Sequence, residues 1–104
     1  MSLGDMKMAK RSMTNEESVL VNAMCECGCI ICDTTEVEFH HVPMARREGA
    51  LAMGYPLCVS HHRGMAFYGE SIHSSRMEFT GKYGTELELL QRALMRVFAK
   101  TIPF

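Results

Sequence analysis

The chain has 104 residues, an apolar fraction of 47% and a net charge of −1 at pH 7. Its length fits one domain, and the apolar fraction excludes an intrinsically disordered chain. The near-neutral charge excludes attraction of the whole molecule to a polyanion, so nucleic-acid binding would need a local basic patch. No apolar run approaches the roughly 20 residues of a membrane helix, and no apolar stretch follows the basic N-terminal residues as in a signal peptide. We therefore expect no contact with a membrane.

The N-terminal part of the sequence predicts a leader followed by a helix. Residues 1–13 are expected to be flexible, and residues 14–104 to form a single zinc-containing domain. Thr14 and Glu17 have the spacing of a capping box, which predicts a short helix over residues 18–24.

The middle of the sequence predicts two strands and a helix. Residues 36–42 alternate polar and apolar side chains at first and are predicted to form a strand that Pro43 ends. A loop is expected from Met44 to about Gly54. A second short strand is predicted over residues 55–58, and a helix over about residues 59–67.

The C-terminal part predicts two more helices. One is expected over residues 71–79, and a second capping box at Thr85 and Glu88 opens the last helix, which ends before Pro103. One face of that helix is predicted to carry Leu87, Leu90, Leu94 and Val97. The predicted fold class is therefore α+β, with a strand pair and flanking helices.

Two short metal-ligand motifs flank the predicted strand pair. Cys29 and Cys32 are three positions apart before the first strand, and Cys58 and His61 have the same spacing after the second. Zinc prefers four nitrogen or sulfur ligands in a tetrahedron, and each of these turns can offer two. The five cysteines are an odd number, which does not favour a disulfide framework. The pattern predicts one structural zinc ion that holds the ends of the strand pair together.

The cysteine-rich turn leaves the choice of N-terminal ligands open. Cys25 or Cys27 could replace Cys29, although the spacing favours Cys29 with Cys32. Buried structural thiols and a redox Cys-x-x-Cys pair are the alternatives, and no thioredoxin-like βαβ pattern surrounds the motif.

Histidines form two adjacent pairs. His40 and His41 end the first predicted strand, where successive side chains point to opposite faces, so the two are expected to have different roles. On the predicted helix His62 lies about 100° around the axis from His61, so it can face a second metal ion.

The order of these motifs resembles the HNH, or ββα-metal, endonucleases. More narrowly, the chain is similar to the RecA-dependent phage recombination-enhancement nucleases of the Ref type, over roughly residues 28–90. The matching stretches are Gly28–Cys32, Phe39–Val42, Pro56–Arg63, Ser71–Ser74 and Phe79–Leu87. The resemblance implies a zinc-stapled ββα-metal core with flanking helices, and metal-dependent hydrolysis of DNA phosphodiester bonds.

The resemblance also implies roles for the histidines. His41 would be the general base, consistent with the ordinary histidine pKa of about 6.5. His40 and His62 would hold a catalytic divalent ion (Zn²⁺, Mn²⁺, Ni²⁺ or Mg²⁺), with His73 as a further ligand. The position that is commonly Asn or His in the family has no such residue between His41 and His61; its nearest counterpart is Ala52 or Met53.

The expected partners follow from the same resemblance. DNA is the substrate, a recombinase filament is a second expected partner, and the expected location is the cytoplasm of a bacterial host, with a phage or prophage gene. A catalytically silent zinc module that binds DNA or a recombination protein is the alternative function, and thiol redox chemistry is a third. The expected phosphate contacts are Arg46, Arg47, Arg63, Arg76 and Lys82.

Overall fold

The computed structural model describes residues 12–64 and 69–101 of the chain. Within these residues, one two-stranded sheet and five helices confirm the α+β class. None of the helices in these two ranges has the length and apolar character needed to cross a membrane. Residues 1–11 of the predicted leader lie outside the described part of the chain.

The first helix, α1, spans Asn15–Glu26 and begins at the predicted capping box. The Glu17 backbone N–H donates to the Thr14 hydroxyl at 3.1 Å, and the Glu17 carboxylate accepts from the Thr14 backbone N–H at 2.9 Å. These two bonds satisfy backbone donors that the first turn of a helix otherwise leaves unpaired. The helix is longer than predicted at both ends.

The two predicted strands form an antiparallel hairpin. Strand β1 spans Glu38–His41 and strand β2 spans Gly54–Leu57, and His40 pairs with Tyr55 in the register. Gly54 faces His41 across the ladder, where an added Cβ would collide with the His40 carbonyl oxygen. The position therefore requires glycine.

The connection between the strands differs from the prediction. Residues predicted to be a loop include a short helix, α2, over Pro43–Arg47. Proline at the first helical position has its φ angle already set for a helix and loses no hydrogen bond there. The chain then returns to the hairpin, where the Val42 N–H donates to the Met53 carbonyl at 3.0 Å.

The region after β2 contains two helices with bounds that the sequence did not predict. Helix α3 spans Val59–Arg63 and is followed by Gly64; the remainder of the predicted helix falls on residues 65–68, which the structure does not describe. The helix predicted at residues 71–79 is wrong in position, because α4 spans Arg76–Tyr83. The Ser75 side chain caps α4 by accepting from the Glu78 N–H at 3.2 Å.

The last helix, α5, spans Glu86–Thr101 and begins at the second predicted capping box. Leu90, Leu94 and Val97 pack against the core as predicted, but Leu87 is 71% exposed. The fully buried positions of this helix are Leu89 and Ala93. The predicted apolar face of α5 is therefore rotated slightly around the helix axis from the face that packs against the sheet.

Helices α1 and α5 cover β2 and enclose a small core. The core cluster also includes residues of the thiol motifs, which shows that the predicted zinc ligands lie beside the apolar interior. Its buried members are Met24, Cys29, Ile30, Tyr55, Leu57, Cys58, Ile72, Phe79, Leu89 and Ala93.

Leu89 and Leu87 provide a matched test of this packing. Leu89 is fully buried, so we expect Leu89→Ala to lower the free energy of unfolding by about 2–5 kcal/mol through lost burial and a residual cavity. Leu87→Ala, on the exposed side of the same helix, should change it by no more than about 0.5 kcal/mol. Urea unfolding of the zinc-loaded protein measures both values, and equal losses would contradict the assigned orientation of α5.

Candidate metal centres

The turn after α1 is shaped to present two thiols. Gly28 has a φ of +87°, a backbone conformation that favours glycine, and an added Cβ there would lie 2.9 Å from the Asp33 carbonyl oxygen. The Cys29 N–H donates to the Thr34 carbonyl at 2.8 Å, which closes the turn. From α5, the Arg96 guanidinium donates to the Gly28 carbonyl at 2.6 Å. The turn is thus fixed from two sides.

The hairpin brings a second pair of ligands to this turn. Cys58 immediately precedes α3, and His61 lies three residues later on that helix. The Cys32 and Cys58 Sγ atoms lie 3.8 Å apart, and His61 Nδ1 lies 3.3 Å from Cys58 Sγ and 3.8 Å from Cys29 Sγ. We call Cys29, Cys32, Cys58 and His61 the thiol group.

The thiol group fits a tetrahedral zinc ion. Bond lengths of zinc to sulfur and nitrogen give tetrahedral edges of about 3.8 Å between two sulfurs and about 3.6 Å between sulfur and nitrogen. The three distances lie close to these values. All five cysteines are free thiols, and the ligand atoms of this group lie within 4.8 Å of one another. The group can therefore hold a metal ion, and three sulfurs with one imidazole match structural zinc.

The surroundings of the thiol group affect its protonation unequally. Burial raises the pKa of the Cys29 thiol, whereas the hydrogen bond with the Thr34 hydroxyl lowers the pKa of Cys32. Cys25 and Cys27 do not belong to the group, and the Cys27 Sγ instead donates to the Ala23 carbonyl at 3.5 Å. The spacing argument that favoured Cys29 thus agrees with the geometry.

Three histidines form a second group beside the first. His40 comes from β1, His62 from α3 and His73 from the segment before α4; each offers a ring nitrogen, and these atoms lie within 4.8 Å of one another. We call them the triple-histidine group. The His73 N–H donates to the His62 carbonyl at 3.1 Å, and the Ile72 N–H donates to the His61 carbonyl at 3.0 Å. These main-chain bonds place His73 beside α3.

His61 and His62 face different groups, as the helical period predicts. The His62 ring centroid lies 4.5 Å from that of His73 and 5.3 Å from that of His40. Burial, followed by the positive charges of neighbouring histidines and arginines, lowers the pKa of His73. Three imidazoles suit a transition metal or zinc better than bare Mg²⁺, which prefers oxygen ligands.

In two of these histidines, one ring nitrogen contacts a carboxylate. His40 Nε2 lies 2.9 Å from Glu86 Oε1, and His62 Nδ1 lies 2.7 Å from Glu38 Oε1. The Tyr55 hydroxyl also donates to Glu86 Oε1, at 2.9 Å. Burial acts to raise the pKa of Glu86, but the hydrogen bonds from His40 and Tyr55 outweigh it, and the pKa is lowered.

His41 differs from its strand neighbour His40 in burial and in ligand group, in keeping with the different roles that strand alternation predicts. It is half-buried and does not belong to either ligand group, while its neighbour His40 is 5% exposed. Burial, together with the nearby charge of Arg46, lowers the pKa of His41, and a hydrogen bond with the Leu51 backbone acts in the opposite direction. The Leu51 N–H in turn donates to the Glu17 carboxylate at 3.3 Å. The loop next to His41 is thereby connected to α1.

The predicted phosphate contacts fall into two sets. Arg46 and Arg47 are exposed on α2. The other three pair with carboxylates on the protein: Arg63 with Glu38, Arg76 with Glu86 and Lys82 with Glu70. All five remain predictions as DNA contacts.

The sequence did not single out the carboxylates. Glu38 and Glu86 lie 24 and 46 residues from the histidines that they hold, so no local spacing marks them. The alternation along β1 gave a weak signal for Glu38, which shares a face with His40. Ala52, which is buried, and Met53, which is half-buried, are the residues that the resemblance would set opposite the family's Asn or His.

A scan against models of protein families and a search of the curated proteins found no match for this chain. Its function is therefore inferred from the two ligand groups and from the order of the motifs.

Proposed function

We propose that this chain is a metal-dependent DNA endonuclease of the HNH type, acting in phage or prophage recombination. The observation that carries the proposal is the convergence of His40, His62 and His73 from three segments, next to a thiol group suited to structural zinc. The strand pair and the helix that follows it supply two of the three histidines, His40 from β1 and His62 from α3. This is the arrangement that the resemblance implies.

The triple-histidine group has the ligands for a catalytic divalent ion. Such an ion, once bound, would stabilise negative charge on the scissile phosphate and on the leaving 3′ oxygen. His40, His62 and His73 would hold it through neutral imidazole nitrogens. The burial of His40 and its hydrogen bond to Glu86 support a fixed ring orientation for that ligand.

His41 is the proposed general base. Its imidazole would accept a proton from the attacking water, while the water oxygen forms the new bond to phosphorus and the bond to the 3′ oxygen breaks. A lowered pKa keeps this imidazole neutral near pH 7. The contact with the Leu51 backbone would orient the ring, a role that an Asn or His in the loop would otherwise have.

DNA and a recombinase filament are the proposed partners. The exposed Arg46 and Arg47 lie on α2, which begins two residues after His41, and they would contact the phosphates of a strand near the base. With a net charge of −1, the chain is expected to bind DNA weakly by itself. Tight binding by the purified chain would contradict this dependence on a partner.

A catalytically silent zinc module is the second candidate. The observation that favours it is the apolar pair Ala52 and Met53, where the family commonly has a polar side chain. Such a module would bind DNA or a recombination protein through the same surface, without cleavage.

Metal stoichiometry combined with plasmid nicking distinguishes the two candidates. We expect the wild-type chain to bind two metal equivalents and to nick supercoiled DNA with Mn²⁺, Ni²⁺ or Mg²⁺. The His62→Ala variant should retain one zinc equivalent, lose the second metal and lose nicking, because His62 belongs only to the triple-histidine group. A wild-type chain that is inert with every metal, while it still binds a DNA duplex, would establish the silent module instead.

A further inference from the structure

Glu38 and Glu86 each connect a histidine of the triple-histidine group to an arginine. Glu86 Oε1 accepts from His40 Nε2 at 2.9 Å, while its Oε2 forms an ion pair with Arg76, at 3.1 Å from Arg76 Nε. Glu38 Oε1 lies 2.7 Å from His62 Nδ1, and its Oε2 accepts from the Arg63 guanidinium at 2.7 Å. The two carboxylates come from different elements, α5 and β1, yet they make the same pair of contacts.

The two carboxylates are less exposed to solvent than the two arginines that they contact. The Glu86 and Glu38 side chains are 16% and 32% exposed, whereas those of Arg76 and Arg63 are 54% and 58% exposed. A guanidinium has five N–H donors, so one that gives one or two to a carboxylate keeps others for a second anion. Both arginines are near enough to His73 for their charges to act on its ring, so each can bind an incoming oxyanion beside the triple-histidine group without leaving its carboxylate.

Each carboxylate also decides which nitrogen of its histidine can bind a metal. A neutral imidazole carries one N–H, and that N–H faces the carboxylate. His40 therefore keeps its lone pair on Nδ1, and His62 keeps its lone pair on Nε2. Carboxylates that hold a ligating histidine in this way commonly set its tautomer and increase its basicity.

We propose that Glu38 and Glu86 are paired positioning residues, which fix the metal-binding nitrogens of His62 and His40 and hold Arg63 and Arg76 as a clamp for a phosphodiester. The inference rests on the proposed function, and it names the substrate contact as a phosphate held by two guanidinium groups. Because both contacts share one carboxylate, the loss of either carboxylate weakens metal binding and phosphate binding together.

Titration with Co²⁺ tests the metal-binding half, in protein whose thiol group already holds zinc. We expect Glu86→Gln and Glu38→Gln to weaken Co²⁺ binding about 10- to 100-fold, as such partners usually do. Glu36→Gln is the matched control, since it makes the same charge change at an exposed position close to β1 and should bind Co²⁺ like the wild type. Circular dichroism checks the fold. If Glu86→Gln, at the less exposed of the two sites, fails to fold, the more exposed Glu38→Gln tests the same expectation.

The binding of a fluorescent DNA duplex to Co²⁺-loaded protein tests the clamp. Arg76→Gln and Arg63→Gln should leave Co²⁺ affinity unchanged and weaken duplex binding severalfold, whereas the two glutamate variants weaken both. Heteronuclear NMR of the zinc-loaded wild type should also find the ring proton on Nε2 of His40 and on Nδ1 of His62. The opposite tautomers would overturn the proposal.

These outcomes separate the inference from the nuclease proposal. If the chain never cleaves DNA but Glu86→Gln and Glu38→Gln weaken Co²⁺ binding, the positioning role holds and the nuclease assignment fails. If it cleaves DNA but these variants match Glu36→Gln, the positioning role is overturned alone. A wild type that binds no Co²⁺ beyond the thiol group overturns both.

Discussion

His41→Ala should reduce DNA nicking by about 100- to 10,000-fold, the usual contribution of a general base. The physical reason is that no other imidazole of the described residues lies outside the two ligand groups, so none remains to accept the proton from water. Single-turnover nicking of supercoiled plasmid, with both metal equivalents verified, measures the loss. The variant should keep its fold, its zinc and its second metal.

Chemical rescue is the control for this variant. Imidazole added to the solution should restore part of the nicking by His41→Ala, and it should not restore nicking by His62→Ala, which lacks a metal ligand. Undiminished activity in His41→Ala would remove His41 from the mechanism. Loss of the second metal in this variant would show instead that His41 acts as a ligand.

Removal of zinc should unfold the domain. Structural zinc sites contribute apparent binding free energies of about 10–16 kcal/mol, while whole domains of this size are stable by about 5–15 kcal/mol. Cys29 and Cys58 also belong to the core cluster. Without the ion that joins them, the turn that carries Cys29 is expected to separate from the hairpin, and the core is expected to open. Circular dichroism during titration with a chelator follows the loss, and added zinc should restore the signal.

Two cysteine variants sharpen that test. Cys58→Ser should behave like the chelated protein, because it removes a buried sulfur ligand. Cys27→Ser should retain zinc and a normal thermal transition, since Cys27 does not belong to the thiol group and serine can keep the hydrogen bond to Ala23. A cooperative thermal transition in metal-free protein would contradict the structural role of the ion.

The features predicted correctly from the sequence depend on local chemistry. The capping boxes at Thr14 and Thr85 need only residues three positions apart, and the structure confirms both boxes, although the first helix begins at Asn15 and not at residue 18. The alternation of β1 and the period of α3 likewise separated His40 from His41 and His61 from His62. Each of these features is determined by residues that lie within a few positions of one another in the sequence.

The features that were missed depend on tertiary contacts. Helix α2 is only five residues long, too short for a periodic pattern, and α4 begins where Ser75 caps it instead of at the earlier serine-rich segment. The exposure of Leu87 reflects the direction in which α5 packs, which the apolar period alone does not give. The roles of Glu38 and Glu86 follow from the pairing of β1 with β2 and from the docking of α5, and neither is encoded at short range.

The neighbouring positions of His61 and His62 on a helix of five residues have a consequence for protein engineering. His61 of the thiol group and His62 of the triple-histidine group are joined by one peptide bond. The positions of both rings therefore depend on the same short segment of backbone. The two groups are therefore not separable modules that can be transplanted one at a time into another scaffold. A transplant would have to carry the stretch from Gly28 to His73, and the host would have to supply two contacts that α5 makes here: the Glu86 carboxylate at His40 and the Arg96 guanidinium at the Gly28 carbonyl.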